Sequence, residues 1–154
     1  MISNDQKMTI SLIESMDELK LKQFLFHNLE SVDPHLYKLL FNKVTQEQFP
    51  NRVWGSLNYM VGNRLYSYRE PERNPKTNHS IYFYDVILRT DKFFLNLPNF
   101  GKKSLKELKL SLDKFGLKLN TDLKDIKYEA LKSLSLINLK HDYLFVEKRG
   151  FMKW

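Results

Sequence analysis

The sequence predicts a mainly α fold, and three observations carry that prediction. Helix starts are marked at intervals by a hydroxyl or carboxylate with an acid or proline behind it: Ser15 with Glu18, Asp33 with Pro34, Ser104 with Glu107, and Asp122. Such side chains accept from the free N–H groups of a first helical turn. Apolar residues follow each signal at three- and four-residue spacing. Pro98 and Gly116 fall where those patterns stop, as terminators do.

Taken in order, Ser15 is expected to open a helix carrying Leu19, Phe24, Leu25 and Leu29, and Asp33 a second one with Leu36, Leu39, Leu40 and Phe41. Together they read as an N-terminal helical hairpin. Pro50 opens a third helix, expected over 51–66, with Val53, Trp54, Leu57, Met60, Val61 and Leu65 as its apolar stripe. The segment 68–80 holds Pro71 and Pro75 with almost nothing apolar and reads as an exposed loop. The β-branched and aromatic run 81–88 fits a buried strand or a helix equally. Phe93, Phe94, Leu95 and Leu97 resume a helical pattern up to Pro98. From Ser104, Leu105, Leu108, Leu112 and Phe115 form a well-marked helix that Gly116 closes. Asp122 caps a last helix with Leu123, Ile126, Ala130, Leu131 and Leu134 inward. The tail 142–154 reads as a short strand or a docking arm through Phe145, Phe151 and Trp154.

A chain of 154 residues with 42% hydrophobic and 14% aromatic residues can bury a real core and is too apolar for a disordered one. No run approaches the roughly 20 apolar residues of a membrane span. The start 1–10 has no apolar stretch of the signal-peptide kind, and the chain has no cysteine for disulfides or thiolate metal sites. The expectation is a soluble, cytoplasmic protein. His27, His35, His79 and His141 show no metal-ligand spacing, and Asp122 and Asp125 read as first-turn helix acids, not a catalytic pair. With no nucleophile, phosphate-loop or dinucleotide motif, no enzyme, cofactor or metal is expected. Tyr66, Tyr68, Tyr82 and Tyr84 with Arg64 and Arg69 have the composition of a base-stacking surface, but core and rim aromatics explain them better.

The net charge of +7 is unevenly placed: residues 1–45 carry −1, whereas 91–120 carry +4 from seven lysines and three acids. A local excess of this kind favours a polyanion, nucleic acid above all, although a solvated lysine face has the same composition. Within that region, 97–101 (Leu-Pro-Asn-Phe-Gly) is a tight turn between two helical patterns, the layout of a helix-hairpin-helix. Gly101 is expected to allow a conformation or close approach that a Cβ forbids. The N–H groups of Lys102, Lys103 and Ser104 then stand at a helix N-terminus, where unpaired donors and the dipole favour an anion. Backbone donors hold phosphate without reading bases. Arg52, in the first turn of its own helix, sits against the dipole and is suited to an external anionic partner.

The run 95–119 resembles the C-terminal domain of the bacterial RNA polymerase α subunit. It matches through Pro98-Asn99-Phe100-Gly101, Lys103-Ser104-Leu105, Glu107-Leu108 and Gly116-Leu117-Lys118-Leu119, and upstream through Asp85, Arg89, Thr90 and Asp91. Arg52, Gly55, Ser56 and Leu57 fit that family's Arg-x-x-Asn-x-Leu helix start, with Gly55 where the family has Asn; the 68–80 loop is an insertion. The resemblance implies three parts: an N-terminal helical extension over 1–45, an α-subunit-like helix-hairpin-helix domain over 46–120, and a C-terminal helix and tail over 121–154. It implies a DNA-binding transcription regulator, with Arg52, Gly55 and Ser56 at an A·T-rich minor groove and Gly101, Lys102, Lys103 and Ser104 on the adjoining phosphates. Glu107 would support the cap or orient Arg52. Weak, salt-sensitive binding is expected of such a contact. The family's acidic σ-contacting patch is mostly replaced here by Gln46, Glu47 and Gln48. The large α-subunit assembly domain has no counterpart in 1–45, which suggests a stand-alone copy of phage or mobile-element origin. The alternative is a module that docks on RNA polymerase or σ factor, or a structural part of a larger assembly.

Overall fold

A computed structural model describes residues 3–62 and 81–136. Expectations for 68–80, for the end of the third helix beyond residue 62, and for the tail from residue 137 lie outside the described residues. Among these residues the protein is mainly α, with eight α-helices, no strand and one isolated bridge pairing Lys43 with Tyr82. No helix among the described residues is long and apolar enough to cross a membrane. Among the described residues the contacts define two compact units, one built from residues 3–38 together with 122–136, the other from 39–62 and 81–121.

The first unit holds α1 (Asn4–Glu14), α2 (Glu18–Asn28) and α8 (Leu123–Ser133), with α8 packed on both others. Helix α1 is an element the sequence reading missed. Its apolar pattern is faint, with only Ile13 buried, and it is secured by a capping box in which Ser3 accepts from Gln6 N–H and Gln6 answers to Ser3 N–H. The expected cap at Ser15 is corrected accordingly. Ser15 ends α1, and Asp17, which accepts from Lys20 N–H at 2.8 Å, opens α2. Asp17 wins because its carboxylate carries full charge at the positive end of the dipole. The buried face of α2 is Leu21, Lys22 and Leu25, with Leu19 exposed. Asp33 caps α3 (Pro34–Phe41) as expected, through Leu36 N–H. Asp122 likewise caps α8 through Lys124 N–H. Lys127 Nζ on α8 donates to the Glu14 carbonyl at the end of α1, and Ser133 Oγ to Asp33 Oδ2.

Helix α8 ends in a Schellman pair, Leu136 N–H to Leu131 O and Ser135 N–H to Lys132 O, with Ser135 at φ 58°. A side chain there costs about 1 kcal/mol relative to glycine. Ser135→Gly is therefore expected to raise stability by up to about 1 kcal/mol, a few degrees in a thermal melt.

The second unit contains a short 3₁₀ turn at Gln46–Gln48, α4 (Asn51–Gly62), α5 (Phe83–Ile87), α6 (Asp91–Leu95) and α7 (Lys102–Asp113). Helix α7 packs on α4 and α6. The ambiguous run 81–88 resolves as helix: Asp85 Oδ2 accepts from Tyr82 N–H at 3.0 Å, closing the first turn, and every residue of α5 is buried. Val53, Leu57 and Met60 of α4, Phe94 of α6, and Leu108 and Leu112 of α7 are fully buried, and Phe83 lies 4.9 Å from Phe115 between ring centroids. Gly116, at φ 74°, closes α7 as expected, with Leu117 N–H returning to Leu112 O and Gly116 N–H to Asp113 O.

Asp91 ties three segments together. It accepts from Lys109 Nζ at 2.8 Å and from Asn120 Nδ2 at 2.9 Å, while its own N–H donates to Asn120 Oδ1. The Lys109 hydrogen bond, then that of Asn120, holds its carboxyl below the ordinary value of 3.8 despite some desolvation. A pKa lowered on folding stabilises the fold above the unfolded value and loses that contribution as pH falls through the folded one. Because the pair is exposed, it is worth less than about 1 kcal/mol. Wild type should exceed Asp91→Asn in urea midpoint at pH 7, and the gap should close below about pH 4.

Candidate nucleic-acid interface

The turn that joins α6 to α7 is built from below. Phe94, buried on α6, packs at a tilt on Phe100 with 5.5 Å between ring centroids, and Leu97 is also buried. Phe100 N–H donates to Leu97 O at 3.3 Å. Pro98 and Asn99 occupy the two central positions, and Asn99 has φ 59°, the pattern of a type II turn. The conformational demand therefore falls on Asn99. The expectation for Gly101 is corrected: its φ of −110° and ψ of −169° are extended backbone open to any residue, and a Cβ there would meet nothing within 4 Å. Asparagine tolerates the left-handed region because its short amide bonds locally, and so the turn forms without a glycine. Asn99→Val should cost about 1–3 kcal/mol in chemical denaturation, whereas Asn99→Gly should be near neutral.

Gly101 is the N-cap of α7, and the helix begins at Lys102, two residues ahead of the expected cap at Ser104. Ser104 is instead the third helical residue and is only 2% exposed. Glycine has no side-chain acceptor to offer, so the first turn carries no side-chain cap, whereas α1, α2, α6 and α8 all have one. No acid lies in that turn, and Lys102 and Lys103 are both exposed at the positive end of the dipole.

Helix α4 brings the second half of the site. Arg52 stands in its first turn, which has no acidic residue, with its side chain 53% exposed. Arg52 Nη1 is 3.8 Å from Glu107 Oε1 on α7, close enough to bias the guanidinium without a short hydrogen bond. One turn on, Gly55 is exposed and Ser56 is buried. A Cβ on Gly55 would also meet nothing within 4 Å. Asn51, Arg52, Gly55, Ser56 and Tyr59 from α4 and Pro98 and Asn99 from the turn line one shallow depression of about 370 Å³. The structure thus brings the Arg52 helix start and the hairpin to one face. Of the residues named from sequence, Arg52 and Gly55 are exposed in that depression, Gly101, Lys102 and Lys103 are exposed at the adjoining start of α7 outside its lining, Glu107 is half-buried beside Arg52, and Ser56 and Ser104 are buried. For Ser104 that leaves the backbone N–H as the group an anion could reach.

Sequence reasoning passed over Asn51, Asn99 and Tyr59 as part of this face. Asn99 had a readable signal, an asparagine after proline in a turn. Tyr59 is 41% exposed, and its place in the depression depends on the approach of α4 to the turn, which helical periodicity alone does not specify. No group of three or more metal-ligating side chains occurs among the described residues.

The chain is similar to the DNA-directed RNA polymerase subunit alpha of Rickettsia akari, Rickettsia typhi and Rickettsia prowazekii, at 42% identity over 60 residues in each case. The match takes in 39% of this chain and only 18% of each relative, so the chain spans less than a fifth of their length. No family model and no solved structure matches. The chain therefore carries a region related to the RNA polymerase α subunit, within a mainly α fold.

Proposed function

We propose that this protein is a DNA-binding transcription regulator, without catalytic chemistry, that grips the minor groove and adjoining phosphates of A·T-rich duplex through the α4–turn–α7 face. The observation that carries the reading is the shared depression: Arg52 and Gly55 from α4 meet Pro98 and Asn99 of the turn beside an α7 N-terminus without a side-chain cap. The α-related region supports a transcription setting. An arginine entering a narrow groove meets concentrated negative potential, and the first-turn N–H groups of α7 with Lys103 meet the neighbouring phosphate. Gly101 leaves open space where a Cβ would stand, which lets a phosphate backbone come close.

The test is a fluorescence polarisation titration of the full chain against A·T-rich, G·C-rich and single-stranded DNA at two salt concentrations. Tighter binding to A·T-rich duplex that weakens steeply with salt supports the reading. Gly101→Ala should then weaken duplex binding several-fold with an unchanged melting temperature, since the chain itself has room for the methyl group. Equal affinity for all three DNAs, or no binding, overturns it.

Gly55 favours a second reading, a module docking on RNA polymerase or σ factor. At this position the side chain lacks any group to hydrogen-bond a base edge. Gly55→Asn separates the two. Its Cβ meets nothing within 4 Å, and the substitution should add a few tenths of a kcal/mol of helix stability and should tighten A·T-rich duplex binding if the face reads DNA.

A further inference from the structure

A second surface lies on α7, away from the side that packs into the core. Ser104, Leu108 and Ser111 are buried, whereas Lys102, Lys106, Lys109 and Asp113 recur on the opposite side of the helix. There α7 and the segment 117–120 enclose an open groove of about 610 Å³. Its apolar part is Leu105, Leu110, Leu117 and Leu119, and Leu110 is 56% exposed in spite of its size. Its rim is basic. Lys109 is engaged by Asp91 and Asp113 is the one acid in the lining, but Lys102, Lys106 and Lys118 form no ion pair among the described residues.

We propose that this groove docks an acidic, amphipathic segment of a partner protein, its apolar side chains set on Leu105 and Leu110 and its carboxylates facing Lys102, Lys106 and Lys118. Leucines in a groove reward apolar side chains that a nucleic-acid backbone does not have. A second copy of the same groove would set these lysines against one another. The unpaired lysines give charge complementarity to an acidic partner and speed its encounter. The groove shares only Lys102, at its edge, with the residues proposed to meet DNA, and its apolar part lies apart from the Arg52 face, so the inference does not depend on DNA binding.

A labelled synthetic helix of about 16 residues, with leucines at helical spacing among glutamates, serves as the probe, titrated into the full chain by fluorescence polarisation. Saturable binding is expected, with amide shifts at Leu105, Leu110 and Leu117. Leu110→Ser, which changes no charge and lies on the surface, should weaken it about tenfold with less than a twofold change in A·T-rich duplex affinity, a difference of about 1.4 kcal/mol against less than about 0.4. Lys106→Gln should weaken it further. The proposal is overturned if a probe with alanines in place of the leucines binds equally well, if shifts fall only elsewhere, or if Leu110→Ser weakens duplex binding and spares the probe.

Discussion

Replacing Arg52 with alanine is expected to weaken binding to A·T-rich duplex by about tenfold or more and to lower the salt slope by about one unit. The guanidinium is half-exposed, lies in the depression shared with the turn, and is only loosely held by Glu107 at 3.8 Å, so it remains available to an external anion. Its removal should leave stability within about 0.5 kcal/mol, because an exposed ion pair contributes little and the first turn of α4 loses an unfavourable cation. Lys103→Ala should act differently, weakening binding to A·T-rich and G·C-rich duplex alike, since a phosphate contact carries no base preference. Polarisation titrations of wild type, both single variants and the double variant at two salt concentrations check this. If neither substitution changes affinity, the minor-groove model is wrong.

Phe94→Ala is expected to have the largest effect on stability, about 3–5 kcal/mol in guanidinium unfolding. Phe94 is fully buried and touches Phe93 at 5.2 Å and Phe100 at 5.5 Å between centroids, directly beneath the turn. Deleting the ring leaves a cavity under 97–100, so duplex affinity should fall as well. Phe94→Leu keeps most of the volume and should cost clearly less. Loss of stability with intact DNA affinity would show that the turn does not depend on this support.

The upstream part of the α-subunit resemblance acquires a physical meaning from these contacts. Asp85 accepts from Tyr82 N–H at the start of α5, Arg89 Nε donates to the Asp85 carbonyl, Thr90 caps α6 through Phe93 N–H, and Asp91 binds Lys109 and Asn120. These residues build the frame that carries the turn. The groups proposed to meet DNA are few and lie elsewhere, on Arg52, Lys102, Lys103 and the N–H groups behind Gly101.

Local chemistry made much of the molecule legible in advance. The mainly α class, the caps at Asp33 and Asp122, the stop at Gly116 and the hairpin followed from side chains bonding to backbone a few residues away. Where two local signals competed, the outcome was not readable. Asp17 displaced Ser15 and Gly101 displaced Ser104, because nearby groups of similar capping strength are separated by fractions of a kcal/mol that packing easily exceeds, and Asn99 took the special backbone conformation that was one of the two roles offered to Gly101. Helix α1 was lost for a related reason, its single fully buried side chain leaving almost no periodic trace.

What the sequence by itself determined was the mainly α class, most of the helices, the place of the turn and the concentration of positive charge around it, all set by neighbours in the chain. What only the tertiary structure decided was which of those residues share a surface. The meeting of Arg52 with the turn, the inward burial of Ser56 and Ser104, and the lysine-rimmed groove on the far side of α7 depend on how helices distant in sequence pack. Helical periodicity states that a helix has a buried side, and only the partner it packs against decides which exposed residues become neighbours.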